Sequence, residues 1–277
     1  MQLVDIGLNL THQRFDKDRE AVLHRAKAAR VSQMVLTGTN VIASKQAANY
    51  AARYALDPAH RNILFSTAGV HPHDAAEVSE DYLSQLKQLA ERPEVVAIGE
   101  CGLDYHRNFT PREVQQKVFH EQLQLAVEVQ KPLFLHCREA HDDLMKHLQA
   151  IENLPPVIVH CFTGTREELD DYVAAGYYVG ITGWICDERR GVALQELVKH
   201  IPLDRIMLET DAPYLTPRDL PADADPAPKS GRNEPAFLPH ILQTVARHMQ
   251  VSPEDLAEAS TANARQFFRL PAPGKQR

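Results

Sequence analysis

Residues 95–100 read Val95-Val96-Ala97-Ile98-Gly99-Glu100, a short β-branched run that ends in a carboxylate. A continuous apolar run of this kind is typical of a strand buried on both faces of a parallel sheet. A buried strand has no structural reason to end in a charge, so Glu100 is a candidate functional residue. The fold class follows from the recurrence of this arrangement along the chain.

Four other apolar runs are followed by an imidazole or a carboxylate in the same way. They are Ala68-Gly69-Val70 before His71, Leu133-Phe134-Leu135 before His136, Val157-Ile158-Val159 before His160, and Ile206-Met207-Leu208 before Asp211. Parallel strands carry their C-terminal ends to one rim, where we expect these side chains to meet. Nitrogen and oxygen ligands at strand ends are how an α/β barrel builds a hydrolytic metal centre.

Eight candidate strands alternate with stretches that have helical spacing. The strands lie near residues 2–8, 31–37, 63–70, 94–100, 132–136, 156–161, 177–182 and 205–209. This alternation predicts a single α/β domain, a (β/α)8 TIM barrel over residues 1–270, with a short C-terminal tail at 271–277. A doubly wound open sheet is the alternative, but the GxGxxG fingerprint expected after its first strand is absent.

Two helix starts carry recognisable signals. The spacing predicts a helix over residues 112–130, with Thr110 as its N-cap and Pro111 in its first turn. One side of this helix is apolar and comprises Val114, Val118, Leu125 and Val129. Thr165 and Glu168 form the pattern of a capping box at the start of a later helix.

Residues 212–235 interrupt the alternation, because six prolines are too many for a helix or an interior strand. The prolines are Pro213, Pro217, Pro221, Pro226, Pro228 and Pro235. A loop of this length in a compact domain is usually functional or disordered. It follows Asp211 and carries Arg218, Lys229 and Arg232, which predicts that it lies over the rim.

Composition limits the function classes. The net charge of −7 argues against a protein that coats nucleic acid, although an enzyme can hold a strand with a few cations and a metal. No apolar run approaches the ~20 residues that span a bilayer, and the N-terminus lacks the pattern of a secretory signal. Four cysteines without CxxC pairing predict free thiols and a cytoplasmic location.

The candidate metal ligands are Glu100, His136, His160 and Asp211. Gaps of 36, 24 and 51 residues separate them, so the fold rather than a local motif must assemble the set. Two carboxylates with two or three imidazoles suit a divalent ion such as Mg²⁺, Mn²⁺, Fe²⁺ or Zn²⁺. Any one histidine taken alone is more simply a hydrogen-bonded core residue, and the matching positions favour the metal site.

Several sequence blocks resemble the motifs of the TatD family of deoxyribonucleases. The blocks are Gly69-Val70-His71-Pro72-His73, Gly99-Glu100-Cys101-Gly102-Leu103-Asp104, His136-Cys137-Arg138, His160-Cys161-Phe162-Thr163-Gly164, Glu209-Thr210-Asp211-Ala212-Pro213-Tyr214 and Arg232-Asn233-Glu234-Pro235. They run in the family's order and cover nearly the whole chain. The opening residues 5–10 and residues 181–190 also look like bacterial members of this family.

The resemblance implies a metal-dependent hydrolase with 3′→5′ exonuclease activity on single-stranded DNA and RNA. Magnesium is the expected ion, with Mn²⁺ or Zn²⁺ as alternatives. Carried over by position, Glu100, His136 and His160 are metal ligands, and Asp211 is a ligand or the catalytic base. His71 is a catalytic or substrate group beside the metal. A monomer without a membrane partner is expected.

The chain departs from most of the family on its first strand. Relatives carry His-x-His there, whereas Gly7 and Asn9 occupy the corresponding positions. An amide oxygen is a weaker ligand than an imidazole, and glycine offers none. We therefore expect one firmly held ion and a weak second site, with His12 as a less favoured substitute ligand.

Substrate contacts are assigned by residue type. His73 is a candidate to protonate or orient the leaving oxygen, although His71-Pro72-His73 can equally serve to stiffen a turn. Arg138 and Arg232 suit bidentate contacts with phosphate, while a salt bridge from Arg232 to Glu234 or Asp219 is the alternative. Trp184 and Tyr214 are candidate platforms for stacking bases, or else they pack beneath loops.

Two other functions compete with the nuclease hypothesis. The same centre can attack an ester or amide carbon, for example in deacylation of aminoacyl-tRNA, and water activation serves both reactions. A row of cations favours the phosphodiester, and a closed acyl pocket favours the amide. A non-catalytic export accessory is the third alternative, in which a complete ligand set has no purpose.

Overall fold

The computed structural model of the chain describes residues 2–221, 224 and 231–272. All eight strands predicted from the sequence are present. They are β1 (Leu3–Leu8), β2 (Val31–Leu36), β3 (Leu64–Ala68), β4 (Val95–Asp104), β5 (Leu133–Arg138), β6 (Val157–Val159), β7 (Tyr178–Ile181) and β8 (Ile206–Leu208). The helices are α1 (Arg19–Ala28), α2 (Val41–Tyr54), α3 (Tyr82–Ala90), α4 (Arg112–Val129), α5 (His141–Gln149), α6 (Arg166–Ala174), α7 (Val192–Leu197), α8 (Leu238–Met249) and α9 (Pro253–Phe268).

The eight strands form one sheet in the order β1 to β8. The pairings of β3 with β4, β4 with β5, β5 with β6 and β7 with β8 are parallel. Leu8 at the end of β1 forms a parallel bridge with Ala212, just beyond β8, which is the pairing that a closed sheet requires between its first and last strands. The predicted (β/α)8 fold class is confirmed.

Two compact units can be distinguished by their internal contacts. The first unit comprises Met1–Val35 and Cys161–Arg277, and the second comprises Leu36–His160. Each contains its own buried strands, with Ile6, Val179 and Ile206 fully buried in the first and Ile98 and Phe134 in the second. The single domain over residues 1–270 remains a prediction.

Strand β4 continues four residues beyond its predicted end, and two glycines explain how. Gly99 and Gly102 have φ angles of 139° and 140°. A Cβ at Gly99 would lie 2.2 Å from the Phe134 carbonyl oxygen, and one at Gly102 would lie 1.9 Å from that of His136. Because only glycine fits both the backbone angle and the approach of β5, these residues let the strand carry Glu100 and still reach Asp104.

The start of α4 differs from the prediction. Pro111 is the N-cap and makes no capping bond, whereas the buried Thr110 hydroxyl donates to the carbonyl of His73. The buried face also differs, because Gln115 and Gln122 are buried while Val114 and Val129 are half-buried. The two amides are satisfied by backbone groups of β4 and of the segment after β3, which explains how they can be buried. The capping box of Thr165 and Glu168 is confirmed.

The proline-rich segment after β8 is described only in part. Pro226, Pro228 and Lys229, and the last five residues of the predicted tail, lie outside the described residues. Of the described part, Pro235 opens the 3-10 helix Pro235–Phe237 that leads into α8. Within the described residues, every helix is too short or too polar to cross a membrane.

A buried carboxyl joins β1 to the segment after β8 in the first unit. Asp5 is inaccessible to solvent, and its oxygens accept hydrogen bonds from the Thr210 hydroxyl at 2.6 Å and the Thr210 amide at 2.9 Å. Burial raises the pKa of Asp5 to about 7, although the hydrogen bonds from Thr210 oppose this shift. The stability that this residue contributes is therefore complete below its ordinary pKa of 3.8 and is lost as the pH rises towards 7.

We expect Asp5→Asn to stabilise the protein more at pH 8 than at pH 4. The amide stays neutral, and it can accept from the Thr210 amide while donating to the Thr210 hydroxyl. The difference between the two pH values should reach a few kcal/mol, on the order of 1 kcal/mol for each pKa unit. Urea unfolding of variant and wild type at both pH values measures it, and an equal effect at both would contradict the assignment.

Candidate metal centre

Three imidazoles of the second unit converge on one oxygen of Glu100. The Oε1 atom lies 2.8 Å from His160 Nε2, 3.2 Å from His136 Nδ1 and 3.3 Å from His71 Nε2. Glu100 is 6% exposed. Although burial favours the neutral acid, the neighbouring His160 and His71 hold the pKa of Glu100 well below its usual value. The carboxylate is therefore ionised and suited to bind a cation.

His136 bridges two carboxylates. Its Nε2 lies 3.2 Å from Asp104 Oδ2, and its Nδ1 faces Glu100 Oε1. An ionised carboxylate only accepts hydrogen bonds, so the imidazolium form of His136 donates from Nε2 to Asp104 and from Nδ1 to Glu100. A neutral ring that keeps its proton on Nε2 turns its Nδ1 lone pair toward Glu100 at 3.2 Å, an arrangement that requires a cation in place of the Nδ1 proton. Burial lowers the pKa of His136, but the bonds to Asp104 and Glu100 outweigh it and raise the pKa.

The donor set fits a divalent cation. Ligand atoms of His71, Glu100 and His136 all lie within 4.8 Å of one another. Nitrogen and carboxylate oxygen suit Mg²⁺, Mn²⁺ or Zn²⁺ to different degrees. A positive charge is required between Glu100 Oε1 and His136 Nδ1, and a metal ion can supply it in place of a proton on Nδ1.

His71 is held in the orientation of a donor. It caps the 3-10 helix Pro72–Glu77, and its Nδ1 accepts from the amide of His73 at 3.1 Å. Burial lowers the pKa of His71, although Glu100 opposes this, so the ring is neutral with its proton on Nε2, directed at Glu100. His71 therefore stabilises the turn at His71-Pro72-His73, as one alternative predicted, and its side chain also faces Glu100.

His160 is the most deeply buried of the three imidazoles, with 4% of the residue exposed. Its ring stacks on Phe134 of β5 at a centroid distance of 4.5 Å. Its backbone amide donates to the carbonyl of Leu135, which extends β6 past its last paired residue. Packing on one side and the strand on the other therefore fix the direction of Nε2.

Asp104 is a functional residue that the sequence interpretation left without a role. It is 1% exposed, and its Oδ2 lies 2.8 Å from His73 Nε2 as well as 3.2 Å from His136 Nε2. Its Oδ1 accepts from the amides of His106 and Arg107. Burial opposes the charge, but these bonds hold the pKa of Asp104 well below its usual value. The carboxylate positions His136 and also occupies His73.

We expect Asp104→Asn to weaken metal binding rather than folding. Its oxygen can still accept the two amides, but its NH₂ group donates to His136 Nε2 and shifts the ring proton to Nδ1, where it blocks the lone pair. The Mn²⁺ concentration for half-maximal activity should rise by about 10- to 100-fold. A metal titration measures this. An unchanged half-saturation point would show that Asp104 does not position His136.

Asp211 belongs to the first unit, three residues beyond β8. Its backbone has a φ of 54°, a left-handed conformation that Asp and Asn tolerate better than most residues. Its Oδ1 accepts from Asn9 Nδ2 at 3.0 Å, and its amide donates to the carbonyl of Gly7 at 2.8 Å. The side chain of Asn9 is thus directed at Asp211.

His12 caps the 3-10 helix Gln13–Phe15 with its Nδ1, which accepts from the amide of Arg14.

Arg232 forms the salt bridge that was one of its two predicted roles. Its guanidinium contacts both oxygens of Asp18, at 2.7 and 2.8 Å, and Glu234 at 3.4 Å. The alternative partner Asp219 contacts His240 instead. Asp18 already binds the guanidinium group of Arg232, and the Arg232 side chain is only 12% exposed. Phosphate binding by Arg232 would therefore require the ion pair with Asp18 to break. Arg138, at the end of β5, is half-buried and stays a candidate.

An exposed aromatic that contacts His73 was not predicted from the sequence. Phe109 is 66% exposed, and its ring packs edge-on against His73 at 4.9 Å. The two predicted platforms are partly engaged in the first unit. Trp184 is covered by the guanidinium of Arg190 at 4.5 Å, and Tyr214, 47% exposed, contacts His12. Phe109, with Arg107 over its ring at 5.9 Å, is therefore an additional candidate platform for a base beside His73.

The chain is similar to known nucleases over almost its entire length. A family model described as TatD related DNase matches residues 4–269. A relative from Erwinia billingiae, named 3′-5′ ssDNA/RNA exonuclease TatD, is 54% identical over 271 residues, which cover 98% of this chain and 100% of the relative. A relative of the same name from Pantoea ananatis is 51% identical over 269 residues, covering 97% and 100%.

The fold is also similar to that of solved structures. A TatD homologue from Escherichia coli has a TM-score of 0.86 and 28% sequence identity, covering 97% of this chain and 98% of the homologue. The predicted resemblance is confirmed.

Proposed function

Because the chain belongs to the TatD-related DNase family, we propose that it is a metal-dependent exonuclease that hydrolyses single-stranded DNA and RNA from the 3′ end. Two relatives that are 54% and 51% identical and covered in full carry the name of that activity. The structural observation that supports it best is the convergence of three imidazole nitrogens, from His71, His136 and His160, on Glu100 Oε1, which is the donor set of a divalent cation.

We assign the ion to Glu100, His136 and His160, with Asp211 as a further ligand or the base. Magnesium is the proposed ion, and Mn²⁺ or Zn²⁺ are alternatives; one ion is firmly held. When bound, it supplies Lewis-acid polarisation of the phosphoryl group and makes water a stronger nucleophile. His71 carries its proton on Nε2 and is assigned a donor role toward Glu100 or the substrate.

The protein's own groups handle protons and orientation. Asp104 holds His136 with its Nδ1 lone pair toward Glu100. Asp211 is proposed as the general base that accepts the proton of the attacking water, held by the Asn9 amide. His73 lies on Asp104 and can donate to the leaving oxygen only by exchanging that partner. Arg138 is proposed to contact a backbone phosphate. Arg232 can make such a contact only if its hydrogen bonds to Asp18 break.

We propose that Phe109 stacks on a base of the strand being digested. Every base has a π face, so stacking suits a nuclease without sequence preference. The net charge of −7 makes such local contacts more important than a general electrostatic attraction. The four cysteines, all within the described residues, form no disulfide, which supports the proposed cytoplasmic location, and the protein is proposed to act as a monomer.

Phe109→Ala is expected to raise KM for a single-stranded oligonucleotide by about tenfold while kcat changes less than about threefold, because stacking contributes about 1–3 kcal/mol per base. Phe109→Tyr should behave like wild type. Ile42→Ala, which removes another exposed apolar side chain of the same unit, is the matched control. Steady-state kinetics on one substrate measures all three, and equal KM values for Phe109→Ala and wild type would remove the platform.

The proposed function is tested with a 5′-labelled single-stranded oligonucleotide and protein first stripped of metal. We expect a ladder that shortens from the 3′ end when Mg²⁺ is added and no cleavage with EDTA. A 3′-blocked oligonucleotide should resist digestion. Cleavage of an aminoacyl ester with no cleavage of the oligonucleotide under Mg²⁺ or Mn²⁺ would overturn the proposal in favour of a carbon-centred hydrolase.

A further inference from the structure

A second group of metal-binding side chains lies in the first unit, apart from the histidines around Glu100. Cys186 ends the 3-10 helix Gly183–Cys186 after β7, Asp219 lies in the segment after β8, and His240 lies near the start of α8. A sulfur, a carboxylate oxygen and an imidazole nitrogen from these residues all lie within 4.8 Å of one another. The nuclease chemistry proposed above uses none of them.

The three side chains already contact one another. His240 Nε2 lies 2.6 Å from Asp219 Oδ1. Cys186 is 2% exposed and is hydrogen-bonded to Asp219 and Thr244. Burial, assisted by Asp219 and opposed by Thr244 and Arg247, raises the pKa of the Cys186 thiol to about 12.

We propose that Cys186, Asp219 and His240 form a zinc site with one open position for water. Sulfur with imidazole and carboxylate is a donor set that favours Zn²⁺, for which four-coordinate sites are the rule. A thiolate and a carboxylate neutralise the charge of the ion, and the imidazole adds none. Mg²⁺ prefers six oxygen ligands, so it is a poor occupant, and this site is chemically distinct from the centre at Glu100.

Binding exchanges protons for metal bonds. As the bond between Sγ and Zn²⁺ forms, the S–H bond breaks and its proton passes to solvent. The proton that His240 Nε2 donates to Asp219 moves to Nδ1 by exchange with solvent, and the hydrogen bond between the two residues is replaced by one bond from each residue to the ion. No electron is transferred, and Zn²⁺ from solution is the only added reactant.

A zinc ion bound at this site would connect three segments that are distant in sequence. These are the connection between β7 and α7, the proline-rich segment after β8, and α8. Arg218, next to Asp219, contacts Glu188 at 3.4 Å and Asp187 at 3.8 Å in the same connection. Because the segment after β8 begins near Asp211, a metal here would stabilise the chain that leads away from the proposed base.

The test uses full-length, metal-stripped protein titrated with Co²⁺, which replaces zinc and gives a sulfur-to-cobalt charge-transfer band only when a thiolate binds. We expect this band in wild type, saturating when one equivalent of Co²⁺ has bound beyond that held by the centre at Glu100, and its loss in Cys186→Ser and His240→Ala. His248→Ala, on the same helix, should keep the band. Glu100→Ala should also keep it, since Glu100 belongs to the other donor group.

A second readout does not depend on cobalt. Zn²⁺ at about 100 times its Kd should raise the Tm of wild type and of His248→Ala by roughly 5–10 °C. The part of this rise that comes from the proposed site should be lost in both Cys186→Ser and His240→Ala. A wild-type protein without the band, or a band that survives in Cys186→Ser, would overturn the proposal. Neither outcome bears on the exonuclease assay, which is run with Mg²⁺.

Discussion

Glu100→Ala is expected to reduce exonuclease turnover by about 1000-fold or more while the protein stays folded. Glu100 Oε1 is the point on which His71, His136 and His160 converge, so its loss removes the negative charge that makes the site attractive to a cation. Polarisation by a metal contributes several kcal/mol to the transition state, and each ~1.4 kcal/mol is a factor of ten in rate.

The control for this variant is Glu94→Ala. Glu94 immediately precedes β4, at the opposite end from the histidines, and forms an ion pair with Arg92. Its replacement should leave turnover within about twofold of wild type, as for surface substitutions away from a site. Circular dichroism and thermal unfolding establish that both variants are folded. Turnover in folded Glu100→Ala equal to that of wild type would show that the reaction does not use this centre.

Asp211→Asn is expected to lower kcat by about 100- to 10,000-fold, the range that a general base contributes. Asparagine tolerates the left-handed backbone at φ 54° and can keep the bond from Asn9, so the local structure should persist. It cannot accept a proton. The fall in rate at low pH that protonation of the base causes in wild type should therefore be absent from the variant's pH profile.

A comparison with Asp204→Asn separates the loss of the base from a general loss of charge. Asp204 lies in the same unit, with a side chain that is 71% exposed, and its replacement should leave both rate and profile unchanged. If Asp211→Asn kept the acidic limb and lost only metal affinity, Asp211 would be a ligand rather than the base. If it kept full activity, neither role would stand.

The fold could be predicted because eight short apolar runs alternate with helical stretches, and each run became a strand within a few residues of its expected place. The predicted and observed strand boundaries differ most at β4. The sequence predicts that this strand ends at Glu100, because a carboxylate is atypical of a buried strand. The strand continues to Asp104 because Gly99 and Gly102 allow it to approach β5, a tertiary contact that composition does not report.

Part of the missed site chemistry had a signal. Asp104 lies four residues after Glu100, and in an extended strand this spacing puts both carboxylates on the same face. The sequence carries no signal for Phe109, because an aromatic residue in a short loop has the same local pattern whether or not the loop lies beside a functional site. Arg232 binds Asp18, 214 residues away in the sequence, whereas the sequence suggested only the nearby acids Glu234 and Asp219 as its partners. Contacts of that range depend on the fold.

The central claim is that the space between Glu100 and His136 holds a divalent ion. Anomalous diffraction from crystals of the wild-type protein soaked in Mn²⁺ locates such an ion directly. We expect an anomalous peak within coordination distance of the Glu100 carboxylate and His136 Nδ1, and its loss in crystals of Glu100→Ala. A map with manganese bound elsewhere, and with none beside Glu100 in a protein that cleaves DNA with Mn²⁺, would contradict the claim.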